Sequence, residues 1–182
     1  MNRVKLVIAS AFAVMAIAFA SPAFGASPHF KKGGEPVCTV VTNADGSKTV
    51  QCSGALAGLG NEDLIIQTNV GGLATFQCGT PGNANLAPGQ NKFPVSQSGT
   101  TTIPTVSIKN GSVMFTTNPV TASAPENVSA KDAGCPNRNW QVVGSSVLVS
   151  SITLTIKQGG QTLFTCSASS ADGLTGTVPL AC

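Results

Sequence analysis

The sequence predicts an all-β protein, an antiparallel, immunoglobulin-like sandwich of two sheets stabilised by disulfide bonds. The chain is 42% hydrophobic and only 9% charged, which is too apolar for a disordered chain and too poor in Glu and Lys for a helical one. Its apolar residues alternate in short runs between turn residues, without a 3.6-residue period. Six cysteines follow an apolar leader. A small β-barrel is the alternative fold.

The first 25 residues have the features of a signal peptide. A positively charged start, residues 1–5, precedes a charge-free apolar run, residues 6–20, which is shorter than the roughly 20 residues of a membrane-spanning helix. Two cleavage sites have small residues at the required positions: Ala20/Ser21 and Gly25/Ala26. We favour the second because Pro22 ends the helix just upstream. A retained N-terminal anchor is the competing interpretation.

Cleavage after Gly25 would leave a flexible tail, residues 26–34, and one domain, residues 35–182. The ten Lys and Arg residues include Arg3 and Lys5, so the eight that remain face seven Asp and Glu residues. Nucleic acid is therefore disfavoured as a partner, because phosphate binding needs a clustered basic surface. No later apolar run is long enough to insert into a membrane. We expect a secreted protein, extracellular or on the cell surface.

An even number of cysteines in an exported chain indicates a disulfide framework. A zinc site is disfavoured because the sequence has no CxxC pair and His29 is its only histidine. We expect no cofactor. The six cysteines are Cys38, Cys52, Cys78, Cys135, Cys166 and Cys182.

The first hairpin links its turn to its cysteines. A three-residue loop ending in a left-handed Gly46 pairs Cys38 with Cys52. The same register pairs Val40 with Val50 on the same face. A two-residue turn would shift the register and separate the cysteines, so turn chemistry and disulfide geometry favour one arrangement.

Two further hairpins are predicted from their turns. Asn110-Gly111 best tolerates the two positive φ angles of a type I′ turn, and its register pairs Val106 with Phe115. The third hairpin turns at glycines 159–160. One extra loop residue there would pair Ile156 with Phe164 and Leu154 with Cys166, which gathers more apolar side chains than a two-residue turn; a glycine bulge allows it.

The remaining segments are assigned from turn residues. Residues 63–70 and 73–78 form two strands joined at Gly71-Gly72, and long connections cover residues 79–91 and 119–139. Residues 173–182 return as an edge strand, since Pro179 is disfavoured in a sheet interior. If Cys38 bonds Cys52, three pairings of the other cysteines are open. Among them, Cys78–Cys135 would join the long connections and Cys166–Cys182 would pin the last strand.

Candidate catalytic groups are few. His29 lies in the expected tail, where nothing would hold it for nucleophilic catalysis. Glycoside hydrolysis needs two carboxyl groups about 5 to 10 Å apart, and only folding could bring Glu62 or Asp63 near Glu126 or Asp132. We interpret these acids as solvated loop residues, and their spacing shows no calcium-loop motif. We therefore expect no catalytic residue and no metal ligand.

Trp140 has two interpretations. An exposed ring could be a platform for sugar stacking, whereas a lone tryptophan that follows a loop into a strand is more often a core anchor. We favour the core, and we assign structural roles to Gly46, Asn110, Gly111 and Trp140.

Several motifs occur together: AGLGN at 57–61, CGTPGNAN at 78–85, PGQNK at 88–92, KNG at 109–111, CPNRNW at 135–140 and QGG at 158–160. As a set they resemble a group of small uncharacterised bacterial exported β-proteins, known mainly from actinobacterial genomes, over about residues 27–165. The resemblance implies a secreted sandwich in which Cys78 pairs with Cys135. It implies no activity, because none is assigned to the group.

Our leading functional hypothesis is a secreted, non-enzymatic structural or binding module. Its exposed Thr, Ser and Asn rows would bind a cell-surface polymer or another protein. A secreted glycan hydrolase that uses loop carboxylates is the second hypothesis. A calcium-dependent adhesion domain is the third.

Overall fold

The computed structural model describes residues 27–182, so the signal peptide expected at residues 1–25 lies outside the described residues. This part contains two short 3₁₀ helices, Pro81–Asn83 and Thr105–Ser107, and no α-helix. Its strands are β1 (His29–Phe30), β2 (Val37–Thr42), β3 (Lys48–Ala57), β4 (Leu64–Gly79), β5 (Leu86–Pro88), β6 (Phe93–Ile103), β7 (Val113–Thr116), β8 (Val120–Ala122), β9 (Gln141–Gln158), β10 (Gln161–Ser169) and β11 (Gly176–Pro179). Within residues 27–182, no helix combines the length and the apolar character needed to cross a membrane.

The strands form two antiparallel sheets, which confirms the predicted all-β sandwich. The first sheet has the order β1-β3-β2-β11, and β7 and β8 also pair with β3. The second has the order β10-β9-β4-β5, and β6 also pairs with β4. The two longest strands, β4 and β9, therefore lie side by side in the second sheet.

The core lies between the sheets and follows the two-residue period of the strands. In β4, Leu64, Ile66 and Val70 are buried, whereas Ile65 and Leu73, an odd number of residues away from Leu64 and Val70, are exposed. Each fully buried side chain of this size contributes about 1.5 to 3 kcal/mol. The cluster draws on both sheets, with Val50, Leu56 and Phe115 from the first and Ile66, Val70, Ile152, Leu154 and Ile156 from the second.

The first hairpin is confirmed in turn and register. The N–H of Asn43 donates to the Ser47 carbonyl at 2.9 Å, and Val40 lies opposite Val50. Gly46 has a φ of 82°. A Cβ at Gly46 would also collide with the Ser145 carbonyl of β9, so both the backbone angle and the packing require glycine here.

The turn at Asn110-Gly111 is confirmed as well. Both residues have positive φ, 50° and 68°, and Lys109 and Ser112 on either side exchange two backbone hydrogen bonds of 2.9 Å. This is the geometry of a type I′ turn.

The pairing of Val106 with Phe115 is wrong. Residues 105–107 form a 3₁₀ helix, and the Val106 side chain is 74% exposed. Phe115 is buried and pairs with Gly54 of β3. The ladder stops at the turn because residues 105–107 leave the extended conformation for a 3₁₀ helix, in which the Thr105 N–H and hydroxyl donate to Asp63 Oδ1.

The register of the third hairpin is confirmed, although the extra residue lies in an unexpected place. Ile156 faces Phe164 and Leu154 faces Cys166. The turn itself contains only two residues, glycines 159–160, and the register shifts between Thr162 and Phe164. The additional residue is therefore a bulge in β10 and not part of the loop.

The turn expected at Gly71-Gly72 is wrong, because both glycines lie within the 16-residue strand β4. Neither has a positive φ. The register with β9 shifts between them, and a Cβ at Gly72 would collide with the Leu148 carbonyl. The glycines thus permit a bulge and a close backbone approach.

The expectation of a flexible tail is wrong for residues 29–34. Phe30 of β1 pairs with Leu56 of β3, and its ring lies 4.5 Å from that of Phe164 of β10, centroid to centroid. The N–H of Lys31 donates to the Ala55 carbonyl at 3.0 Å. An apolar ring that bridges the two sheets fixes this segment.

The cysteines pair as expected, in the three disulfides Cys38–Cys52, Cys78–Cys135 and Cys166–Cys182. The last segment is confirmed as an edge strand, since β11 pairs with β2 on the outside of the first sheet. The chain then crosses to the second sheet, where Ala181 exchanges backbone hydrogen bonds of 2.8 and 2.9 Å with Ser167 of β10. Three disulfides are typical of an oxidising, extracytoplasmic environment.

We predict unequal stabilisation by the disulfides. Cys78–Cys135 joins residues 57 apart and Cys38–Cys52 joins residues 14 apart. Replacing the first pair by alanine should lower the free energy of unfolding by about 4 kcal/mol, and the second pair by about 3 kcal/mol. Urea unfolding of each double variant measures both values. Equal losses would contradict an effect governed by loop length.

A second prediction concerns the buried hydroxyl of Thr68. Thr68 is 1% exposed in the core, and its Oγ1 has no hydrogen-bond partner among residues 27–182. Thr68→Val keeps the shape and removes the desolvated hydroxyl, so it should stabilise the protein by about 1 kcal/mol in urea unfolding. The control is Thr117→Val, because the equally buried Thr117 Oγ1 accepts the Cys52 N–H at 2.9 Å. That change should destabilise by about 1 to 2 kcal/mol.

Candidate functional site

The acidic residues named as catalytic candidates lie at opposite ends of β4. Asp63 immediately precedes β4, and its Oδ1 accepts the Thr105 N–H and hydroxyl, both at 2.8 Å. Glu62 lies against Gly159 in the turn after β9, and its carbonyl accepts the Gln158 Nε2 at 2.7 Å. Both acids are therefore at the Leu64 end of the second sheet.

Asp132 and Glu126 lie near the other end of β4, which finishes at Gly79. Asp132 Oδ2 accepts the Ser129 hydroxyl at 2.6 Å, and Cys135 three residues later is bonded to Cys78, near the end of β4. The neighbours of Glu126, Pro125 and Asn127, line a groove against the first residues of β9. β4 has 16 residues and a strand rises about 3.3 Å per residue, so the two groups of acids lie about 50 Å apart along the strand. The 5 to 10 Å spacing of a glycosidase pair is not formed between them.

His29 and Trp140 also differ from their expected surroundings. His29 lies on β1, where its Nδ1 is 2.8 Å from the Ser27 carbonyl oxygen. Residues 27–182 contain no group of three or more His, Cys, Asp or Glu side chains that could hold a metal ion.

Trp140 is expected in the core, but it is half-buried and lies outside the core cluster.

The outer surface of the second sheet carries a regular array of polar side chains, which we call the hydroxyl face. Since alternate residues of β4 enter the core, the residues between them point outward, and the pairing registers identify their neighbours on β6, β9 and β10. Across β6, β4, β9 and β10, the four rows are Thr102, Ile65, Lys157, Thr162; Thr100, Gln67, Thr155, Thr165; Ser98, Asn69, Thr153, Ser167; and Ser96, Gly71, Ser151, Ser169.

The hydroxyl face is nearly uncharged, and its polar groups are free. All but three of its positions are Thr, Ser, Asn or Gln, and the exceptions include its only charge, Lys157. Among the described residues, the one hydrogen bond that joins side chains of this face runs from Gln67 Nε2 to Asn69 Oδ1 at 3.4 Å. Neighbouring strands are about 4.8 Å apart and alternate residues about 6.7 Å apart. The face thus presents donors and acceptors at regular intervals.

A groove adjoins one end of the second sheet. It has a volume of ≈ 700 Å³ and lies between the first hairpin turn, residues 43–46, and the start of β9, residues 142–146. Phe76 forms part of its wall and contacts Phe93 edge-on at a centroid distance of 5.3 Å. Asp45 lies at its rim, but Asp45 Oδ1 already accepts the Ser47 N–H and hydroxyl at 3.0 and 2.6 Å.

The sequence shows the Thr and Ser residues of these strands, and it supports the expectation of exposed polar rows. It does not show which rows are adjacent. β6 in particular was not assigned as a strand, because Pro94 and Gly99 interrupt its pattern. The alternation of Ser96, Ser98 and Thr100 is the signal that could have identified it.

Comparisons with known proteins show no family. No family model matches the chain, and no curated protein matches it. Among solved structures, the chain is similar to a glycosyl hydrolase family 2 member from Bacteroides cellulosilyticus, with a TM-score of 0.36 and 12% sequence identity. The match covers 78% of this chain and 14% of that chain. A likeness this distant carries no argument about function.

Two carboxyl groups should titrate at unusually low pH. The Ser47 hydroxyl and N–H hold the pKa of Asp45 below its ordinary value of 3.8, and the Thr105 hydroxyl and N–H do the same for Asp63. The stabilisation from each pair is complete above the unfolded pKa and is lost as the pH falls through the folded pKa.

A ¹³C NMR titration measures both values. Ser47→Ala should raise the pKa of Asp45 toward 3.8 and leave that of Asp63 unchanged. Thr105→Val should do the reverse, so each variant is the control for the other. A pKa at or above 3.8 for either carboxyl in the unmodified protein would show that its hydrogen bonds are not formed in solution.

Proposed function

We propose that this chain is an exported, non-enzymatic binding module whose hydroxyl face binds a neutral polysaccharide of the cell surface. The observation that carries the proposal is the array itself, four strands wide, with one charged side chain and almost no internal hydrogen bonds. The three disulfides support function in an oxidising compartment.

A hydroxyl-rich polymer fits this chemistry. Each Thr or Ser hydroxyl can donate one hydrogen bond and accept two, as each sugar hydroxyl can. One such bond contributes only about 0.5 to 1.5 kcal/mol net. A free monosaccharide could form only a few of these bonds and would therefore bind weakly. A polymer that crosses several rows makes many of these bonds while losing its translational freedom only once.

The same face is poorly suited to other classes of macromolecule. Protein interfaces centre on aromatic, Met and Arg side chains, whereas Ile65 is the only large apolar residue of the hydroxyl face. Nucleic acid requires clustered cations, and Lys157 is alone. The absence of rings also means that the face would bind through hydrogen bonds and not through sugar stacking.

Binding can be tested by co-sedimentation of the mature chain, residues 26–182, with insoluble cell-wall polysaccharide, cellulose and chitin. The double variant Thr100→Lys/Thr165→Lys alters one row of the hydroxyl face at two exposed positions. It should weaken binding about tenfold, because each Lys replaces a small hydroxyl by a solvated charge on a long side chain.

The matched control is Thr39→Lys/Thr177→Lys. These threonines are neighbours on β2 and β11 of the first sheet, and both are exposed. The control adds the same charge on the opposite side of the sandwich and should bind like the unmodified protein. The proposal is wrong if the unmodified chain sediments with none of the polymers, or if the two double variants lose binding equally.

A further inference from the structure

The two lateral sides of the sandwich are closed to different extents. On one side, Ala181 bonds to Ser167, so the C-terminal segment joins the edges of both sheets. On the other side, Asn118 donates its N–H to Thr101 Oγ1 at 2.7 Å and its Nδ2 to the Thr100 carbonyl at 3.1 Å. Beyond Asn118 no backbone ladder links β6 to β7 within the described residues.

A groove of ≈ 720 Å³ occupies this open side, and we call it the lateral groove. One wall is the end of β6 and the other is β7, so the groove runs between the free edges of the two sheets. It is lined by residues 101–104 and 112–116 together with Lys31, Ser107 and Lys109.

The free edge of β7 faces this groove. The N–H of Thr117 donates to the Cys52 carbonyl of β3 at 2.8 Å, which fixes the direction of the backbone groups along β7. Since these groups alternate, the N–H and carbonyl of Met114 and Thr116 point away from β3. None of them has a backbone partner among the described residues. An unpaired edge of this kind is a template for another strand.

The charge of the lateral groove determines which kind of incoming strand it would bind. Lys31 and Lys109 line it and are exposed, and no Asp or Glu lines it. Two carboxylates lie nearby: Asp63, whose Oδ1 is bound to Thr105, and Glu35, which lines a separate pocket against β7. A second copy of the chain would bring the same lysines against themselves, whereas carboxylates on an incoming strand would be attracted.

We propose that the lateral groove binds an extended acidic peptide segment of a partner protein, which adds to β7 as a strand. The backbone of Met114 and Thr116 would supply the hydrogen bonds, and Lys31 and Lys109 would contact alternate carboxylates. The lateral groove shares Thr102 with the hydroxyl face, but its pairing groups belong to β7 and do not depend on that face.

Two labelled octapeptides test the proposal by fluorescence anisotropy, acetyl-(Val-Glu)₄-amide and acetyl-(Val-Lys)₄-amide. We expect saturable binding of the Glu peptide with a Kd of about 10 to 500 µM, given so short a ladder, and at least tenfold weaker binding of the Lys peptide. Hydrogen exchange should show new protection at the Met114 and Thr116 amides when the Glu peptide is bound.

Two variants separate charge from backbone pairing. Lys31→Glu/Lys109→Glu should reverse the preference between the peptides, whereas Lys92→Glu/Lys131→Glu, on loops outside the groove, should not. Thr116→Pro removes one outward N–H without altering the ladder to β3, since proline is tolerated at such edge positions. It should weaken the Glu peptide about tenfold while an unchanged melting temperature shows that the fold is retained.

Three results would overturn the proposal. They are equal affinity for both peptides, no saturation at 1 mM, and protection confined to amides outside β7. Concentration-dependent dimerisation that is lost in Thr116→Pro would assign the edge to a second copy of the chain. If Thr116→Pro does not fold, the lysine reversal decides the outcome alone.

Discussion

The pairing of β4 on both of its sides is the constraint on which the rest of the structure depends. β9 pairs with it from Leu64 to Gly79, and β6 pairs along most of its other edge. A slip of one residue would expose Ile66 and Val70 and bury Gln67 and Asn69 in their place. The burial that stabilises the sandwich therefore also fixes the hydroxyl face, because both are set by one register.

Charged side chains are almost confined to turns and connections, and this distribution is what leaves the sheets neutral. In the part of the chain that the structure describes, Lys48 and Lys157 are the only charged residues within strands. Few ion pairs between strands can then stabilise the protein, and three disulfides together with a core from both sheets supply the stability. Sheets with so little charge on their outer surfaces can fold because the core and the disulfides stabilise them sufficiently.

Turns and registers could be predicted from the sequence where the local residues allow only one backbone conformation. Gly46 and the pair Cys38–Cys52 required the same register, so the first hairpin could be derived from the sequence. A Gly-Gly pair can adopt two conformations. Glycines 159–160 form a turn with φ of 58° and 75°, whereas glycines 71–72 continue a strand. The choice depends on β9, about 80 positions away. The hydroxyl face was predictable only as residue types, because its rows come from four strands.

Edge strands explain why the two proposed binding surfaces have different chemistry. An unpaired edge invites aggregation unless it is covered or charged. The C-terminal segment covers β10 at Ser167, and Asn118 covers part of β6. Within residues 27–182, β7 has no such cover; Lys31 and Lys109 line the groove at its free edge, and Glu35 lines a second pocket against the same strand. The two lysines oppose pairing with an identical chain and favour an acidic one, so a single feature both prevents self-association and defines a partner. At the centre of the hydroxyl face the backbone groups of β4 and β9 are paired on both sides, so only their side chains are available to a ligand.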